Sequence, residues 1–176
     1  MGMTVAFAGH RPGKLPFSEN DADILYLAFR RKLRRTIDRL IELGCDRFIS
    51  GCAVGFDTWA AEDVINAKKE NTWVRLWCAV PYPNQDERWN LKDRNRRKRI
   101  LDQSDSQIIL SDRYTPTCFH KRNRYMVDMA DVLVCCFDGS PGGTSYTVDY
   151  ALSSDKIVIK IDPRTANVSF LSSKRL

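Results

Sequence analysis

Two histidines, no CxxC pair and no apolar run near the ~20 residues of a membrane helix are the first exclusions in this chain. With only His10 and His120, a His-rich metal site is excluded, and no metal is expected. Cys45, Cys52, Cys78, Cys118, Cys135 and Cys136 lack metal-ligand spacing, and several fall in apolar runs. They read as buried thiols acting as small hydrophobes in a reducing compartment. The first residues carry no basic leader, and their apolar stretch is too short for a signal peptide, so the expectation is a cytoplasmic protein with no membrane partner. There is no GxGxxG after the first strand, no GxxxxGK[ST] and no GxSxG. An ordinary NAD site, a P-loop NTPase and an α/β-hydrolase elbow are therefore disfavoured, and no cofactor is expected.

What is present is an alternation of strand and helix patterns. Strands are predicted at Thr4–Ala8, Asp46–Ser50, Trp73–Val80, Gln107–Leu110, Val132–Phe137 and Ile157–Ile161. Helices are predicted over Ala22–Leu43, Phe56–Lys69, Glu87–Leu101, the segment from Cys118 and the segment after Gly143. Strands that are apolar throughout and separated by helices imply a parallel sheet covered on both faces. The expected fold class is α/β, a Rossmann-like three-layer α/β/α sandwich with a mostly parallel sheet, as a single domain over residues 1–176.

The net charge of +6 comes largely from two blocks, Arg30-Arg31-Lys32 with Arg34-Arg35, and Arg94 to Arg99. As helix faces they read first as solvated surface and second as a patch for single-stranded nucleic acid. The nucleic-acid reading is the less favoured, because aromatics do not interleave with the charges and no helix-turn-helix or zinc-finger pattern occurs.

Three loops with special residues sit at the carboxyl ends of predicted strands, where open α/β sheets bind ligands. They carry Gly9, His10 and Arg11; Ser50, Gly51, Gly55 and Asp57; and Gly142, Gly143 and Thr144. Glycines let the backbone approach an anion, and a helix N-terminus directs free N–H groups at it. Thr144 reads as either a helix cap or a ligand contact, and Asp57 as either a ribose acceptor or a first-turn carboxylate. Arg122 shares a helical stripe with Phe119, Met126 and Met129, so its guanidinium lies in an apolar row and needs a partner. That partner is a bound anion or one of Asp128, Asp131 and Asp149. Asn123 either orients Arg122 or binds the ligand. Tyr82 and Trp89 are candidate walls for a base, and Glu62 a partner for a basic neighbour.

Gly9-His10-Arg11-Pro12 with Lys14-Leu15, Ser50-Gly51 through Gly55-Phe56-Asp57, Pro81-Tyr82-Pro83, Arg122-Asn123 and Gly142-Gly143-Thr144 with Thr147 together resemble the YpsA family of the SLOG superfamily. The resemblance spans about Met3 to Ile161. It implies a nucleotide or nucleotide-derived small-molecule ligand, and a homo-oligomer is the expectation carried over from related SLOG proteins. DprA-type members of the superfamily bind single-stranded DNA. The LOG branch, which cleaves the N-glycosidic bond of nucleoside monophosphates, has paired motifs MHERK and PGGxGTxxE. Phe119 to Asn123 is similar to the first, and Pro141 to Asp149 to the second. The resemblance to LOG places Arg122 and Asp149 as the catalytic pair of a nucleotide N-glycosidase, with departures at Lys121, Asn123, Ser145, Tyr146 and Asp149 itself; the other reading of Asp149 is a solvent-facing residue in the second turn of its helix.

Overall fold

The computed structural model describes residues 2–171. Seven strands form one sheet in the order β4-β3-β2-β1-β5-β6-β7. They are β1 (Met3–Gly9), β2 (Cys45–Ser50), β3 (Arg75–Val80), β4 (Ser106–Ile109), β5 (Val132–Cys136), β6 (Ile157–Ile161) and β7 (Val168–Leu171). All neighbours are parallel except β6 and β7, which pair antiparallel. Five α-helices complete the layers: α1 (Ile24–Glu42), α2 (Phe56–Ala67), α3 (Leu91–Gln103), α4 (Cys118–Met129) and α5 (Gly143–Ser153). This is the Rossmann-like α/β architecture expected from the alternation of patterns. Among the described residues no helix is long and apolar enough to cross a membrane.

The apolar pattern divides into a core on each face of the sheet. Phe7, Phe48, Leu76 and Val134 point toward α1 and α2, where Phe17, Tyr26, Phe29, Phe56 and Trp59 form an aromatic cluster. Ala6, Ile49, Leu133 and Cys135, with the opposite strand parity, face the other core, which α4 and α5 close with Met126, Val127, Val148 and Ala151. All six cysteines are free and buried.

The sequence pattern omits β7. Its four residues are short for a strand, and Val168, Ser169 and Phe170 are all exposed, so no half-buried alternation marks it. It arises because the chain reverses after β6 in a turn closed by Asp162 and Asn167, with Ala166 at φ 55°.

The helix starts differ in a way that bears on function. Asp23 caps α1 by accepting from the N–H groups of Leu25 and Tyr26 at 3.0 and 3.1 Å. Asn90 caps α3 by accepting from Asp93 N–H at 2.9 Å. The starts of α2 and α5 fall on Gly55 and Gly142, which have no side chain to cap with. Their first-turn N–H groups therefore lack the side-chain acceptor that Asp23 and Asn90 supply to α1 and α3.

Candidate functional site

The strand order reverses between β1 and β5, so the loops leaving those two strands diverge to opposite faces and open a crevice at the carboxyl edge. A cavity of about 330 Å³ lies there, at the small end of the range of about 300–1,000 Å³ typical of small-molecule sites. Its floor is the end of β1, Phe7 to Gly9, and its walls come from the three loops and from α4 and α5. Among the lining residues Arg11, Lys14 and Arg122 are cationic and Asp57 is the one carboxylate.

Arg122 is the central group. It projects from α4, is 6 % exposed, and its Nη1 has no hydrogen-bond partner. The nearest carboxylate oxygen, Asp57 Oδ2, lies 3.7 Å from Nη1, beyond hydrogen-bond reach. A buried N–H left without an acceptor costs about 1–3 kcal/mol, so this position favours an oxygen acceptor beside the guanidinium. Burial lowers the Arg122 pKa and raises that of Asp57, and for both groups desolvation outweighs their mutual attraction. Asp57 also accepts a backbone hydrogen bond from Ala53, which ties the loop after β2 to α2.

The guanidinium is nonetheless held firmly. Its Nε donates to Asn123 Oδ1 at 2.7 Å, and Asn123 Nδ2 donates to Thr147 Oγ1 at 2.9 Å. Thr147 Oγ1 donates in turn to the carbonyl of Gly143 at 2.8 Å. Arg122 and the first turn of α5 are thereby one rigid unit. Gly51 makes the remaining space: a Cβ there would lie 1.6 Å from Arg122 Nη1. Gly9 has a similar duty toward the fold, since a Cβ on it would meet the Phe56 ring at 2.5 Å.

The expected residues are distributed as follows. Gly9, His10, Arg11, Asp57, Arg122, Asn123, Gly142, Gly143 and Thr144 all line the cavity. Ser50, Gly51 and Gly55 do not, and they act behind it. Ser50 Oγ donates to the Asp57 carbonyl at 2.9 Å and accepts from Cys52 N–H at 3.1 Å, which fixes the loop. Gly55 adopts φ 99° and packs against Pro12. His10 is buried, with Nε2 2.8 Å from Asp138 Oδ1. Hydrogen bonds from Ser140, then the His10 contact, hold Asp138 well below the usual carboxylate range. Thr144 is not the helix cap, because Gly142 holds that position and α5 begins at Gly143.

Asp149 requires a correction. The LOG-like motif put it beside Arg122, but its carboxylate sits on the exposed flank of α5, 3.4 Å from Ser145 Oγ, and does not line the cavity. Thr147 faces inward, and a residue two positions later is turned by about 200°. The solvated reading of the basic blocks is also corrected in part. Arg96 is buried and contacts Glu62 at 2.6 and 2.5 Å and Glu19 at 2.6 Å. Arg97 is buried beside Asp86 at 3.3 Å, and Arg30 reaches Asp63 at 2.8 Å.

Three contributors were named in the sequence only as parts of a motif or a stripe, with no site role. Lys14 ends a short 3-10 turn, Pro12–Lys14, donates to the Pro141 carbonyl at 3.1 Å, and so joins the first loop to the glycine turn. Thr147 was detectable as one helical turn beyond Gly143. Phe119 lines the cavity one turn before Arg122, with Tyr82 packed edge-on behind it at 6.0 Å and Arg11 above its ring at 5.6 Å.

The comparisons with known proteins bear on the family and the fold. The family model described as the YspA SLOG family (YpsA) matches residues 5–161. The SPbeta prophage-derived protein YoqJ of Bacillus subtilis is 30 % identical over 138 residues, covering 71 % of this chain and 81 % of that protein. A UPF0398 protein of Bacillus thuringiensis is 27 % identical over 156 residues, covering 87 % of this chain and 84 % of that one. Among solved structures, DNA processing protein A of Helicobacter pylori, described as binding single-stranded DNA, superposes with a TM-score of 0.61 at 16 % identity. DprA of Streptococcus pneumoniae superposes with a TM-score of 0.62 at 16 % identity. Each match covers 90 % of this chain, but only 65 % and 50 % of the respective DprA chains, and at this identity the likeness is one of fold. With the family model covering most of its length, the chain is a member of the YpsA SLOG family.

Proposed function

We propose that the cavity binds a nucleotide or nucleotide-derived small molecule, with its phosphate between Arg122 and the start of α5. The observation that carries this reading is the buried guanidinium whose Nη1 lacks a partner, held by Asn123 and Thr147 against a helix start without a side-chain cap. A phosphate oxygen would satisfy Nη1 and the first-turn N–H groups of Gly143 and Thr144 together. Arg11 and Lys14 add positive charge at the rim, Asp57 suits a ribose hydroxyl, and the Phe119 ring offers an apolar face to a base.

The placement of Asp149 outside the cavity supports a binding protein over an N-glycosidase, since no other carboxylate than Asp57 lines the site among the described residues. The commitment of Arg30, Arg96 and Arg97 to internal carboxylates likewise favours a small ligand over single-stranded nucleic acid. Six free thiols fit a reducing, cytoplasmic setting. The test is calorimetric titration with AMP, ADP-ribose, NAD and cyclic nucleotides. Saturable binding of at least one is expected, and absence of binding by all of them would remove the reading.

A further inference from the structure

A second concavity lies on the α1 face of the sheet, at the end remote from the cavity described above, with a mostly apolar lining and basic side chains along one wall. Its volume is about 370 Å³. One wall is a stripe of α1 that runs from Lys32 through Arg35, Arg39 and Leu40 to Leu43, spaced by helical turns. The opposite wall is β7, where Val168 and Phe170 lie opposite Ile161 and Ile159 of β6 and share their face. The floor includes Met3, Val132 and Ile157.

This trough is a gap in the helical layer. A sheet of this class is covered on both faces, and residues facing a missing cover remain apolar and wet. Here Phe170 is 75 % exposed, Leu43 55 % and Ile157 50 %, all on the same depression. Large apolar side chains gathered in one exposed concavity mark an interaction surface more than chance does. Its shape, bounded by a helix on one side and a strand wall on the other, is that of a slot for one more helix. A flat membrane surface would not reach the floor.

The charge of the rim selects the occupant. Lys32, Arg35 and Arg39 stand along the α1 wall; Arg39 meets Glu42 at 2.8 Å, while Lys32 and Arg35 make no ion pair among the described residues. A second copy of this chain related by a two-fold axis would bring the same basic rim up to itself, in a protein already at +6. We propose that the trough is a docking site for an acidic amphipathic helix of a partner protein, its apolar stripe on Phe170, Ile157 and Leu43 and its carboxylates on Lys32 and Arg35. The five-residue strands β5 and β6 run about 17 Å, the length of a helix of about three turns.

Fluorescence anisotropy with a labelled peptide of about 14 residues tests this, with Leu at i, i+3, i+4 and i+7 and Glu on the flanking positions. A control peptide carries Lys in place of Glu. The wild-type protein is expected to bind the Glu peptide and to bind the Lys peptide at least about tenfold more weakly. Phe170→Asp and the pair Lys32→Glu/Arg35→Glu are each expected to weaken the Glu peptide by about tenfold or more. All three side chains are exposed, so these variants should keep the wild-type melting temperature; if Phe170→Asp does not, the charge-reversal pair decides alone. Equal binding of both peptides, or of neither, overturns the proposal. So does sedimentation showing a dimer that the charge-reversal pair dissociates, which would make the occupant a second copy, or flotation on anionic vesicles lost in that same variant.

Discussion

Arg96 and Arg122 are both buried arginines on helices that flank the sheet, and they are treated in opposite ways. Arg96, on α3, meets three carboxylate oxygens of Glu62 and Glu19 at 2.5–2.6 Å, which raise its pKa against the cost of burial. Arg122, on α4, meets a side-chain amide on one nitrogen, leaves another without a partner, and stands 3.7 Å from its only neighbouring carboxylate. Arg30 and Arg97 also leave Nε without a partner, but each reaches a carboxylate with a terminal nitrogen, at 2.8 and 3.3 Å, closer than Arg122 comes to Asp57. The difference separates an arginine that joins α3 to α2 and the first loop from one left partly unsatisfied in the wall of the cavity. Such sites lower the stability of the empty protein in exchange for affinity.

Variants of the two arginines sharpen the contrast most. Arg122→Met should weaken whichever nucleotide of the panel binds by at least about thirtyfold, since truncating a buried charge partner costs about 2–5 kcal/mol; calorimetry measures it. Arg96→Met should leave that affinity alone and instead lower unfolding free energy by about 2–3 kcal/mol in urea. This is below the usual cost of breaking a buried pair, because Glu62 and Glu19 keep some water. If the two variants exchanged these phenotypes, the comparison would be broken.

Gly51→Ala should act on both quantities. Its Cβ displaces the guanidinium, so overpacking of about 1–3 kcal/mol is expected, with the affinity loss of Arg122→Met reproduced without touching the arginine. A smaller effect is expected from Arg122→Met/Asp57→Asn, which removes both buried charges. Its stability should equal or exceed that of the wild type.

The smallest expected effect is on pH. Burial raises the folded pKa of Asp57 above its unfolded value, so folding takes up a proton there, and stability withheld at neutral pH returns as the pH falls through the raised value. The cavity becomes more positive over the same interval. Affinity for a cyclic nucleotide, whose phosphodiester keeps one charge, should therefore rise severalfold on acidification, and Asp57→Asn should abolish that rise. Asp138 has the opposite sign: its depressed pKa contributes stability above the ordinary carboxylate range that is lost as the pH falls through the folded value.

The alternation of β and α patterns made the sheet legible, because strands buried on both faces need continuous apolar runs. β7 was not, since three of its four residues face water and it owes its place to a turn rather than to burial. The meeting of the three loops with Arg122 at one crevice was legible because glycines and a stripe-embedded arginine are costly without a ligand or a close approach. Periodicity could not separate Thr147 from Asp149, two positions apart, when only the helix rotation decides which one faces the cavity. Nor could it tell that Arg96 and Arg97, read as a solvated block, turn inward to meet carboxylates brought from other elements.

The central claim is that Arg122 Nη1 and the start of α5 hold an anion in common. A crystal structure with bound AMP tests it most directly. A phosphate oxygen about 2.7–3.2 Å from Nη1 and within reach of the Gly143 or Thr144 N–H is the expected result. AMP bound with its phosphate elsewhere and Nη1 still without a partner would contradict it.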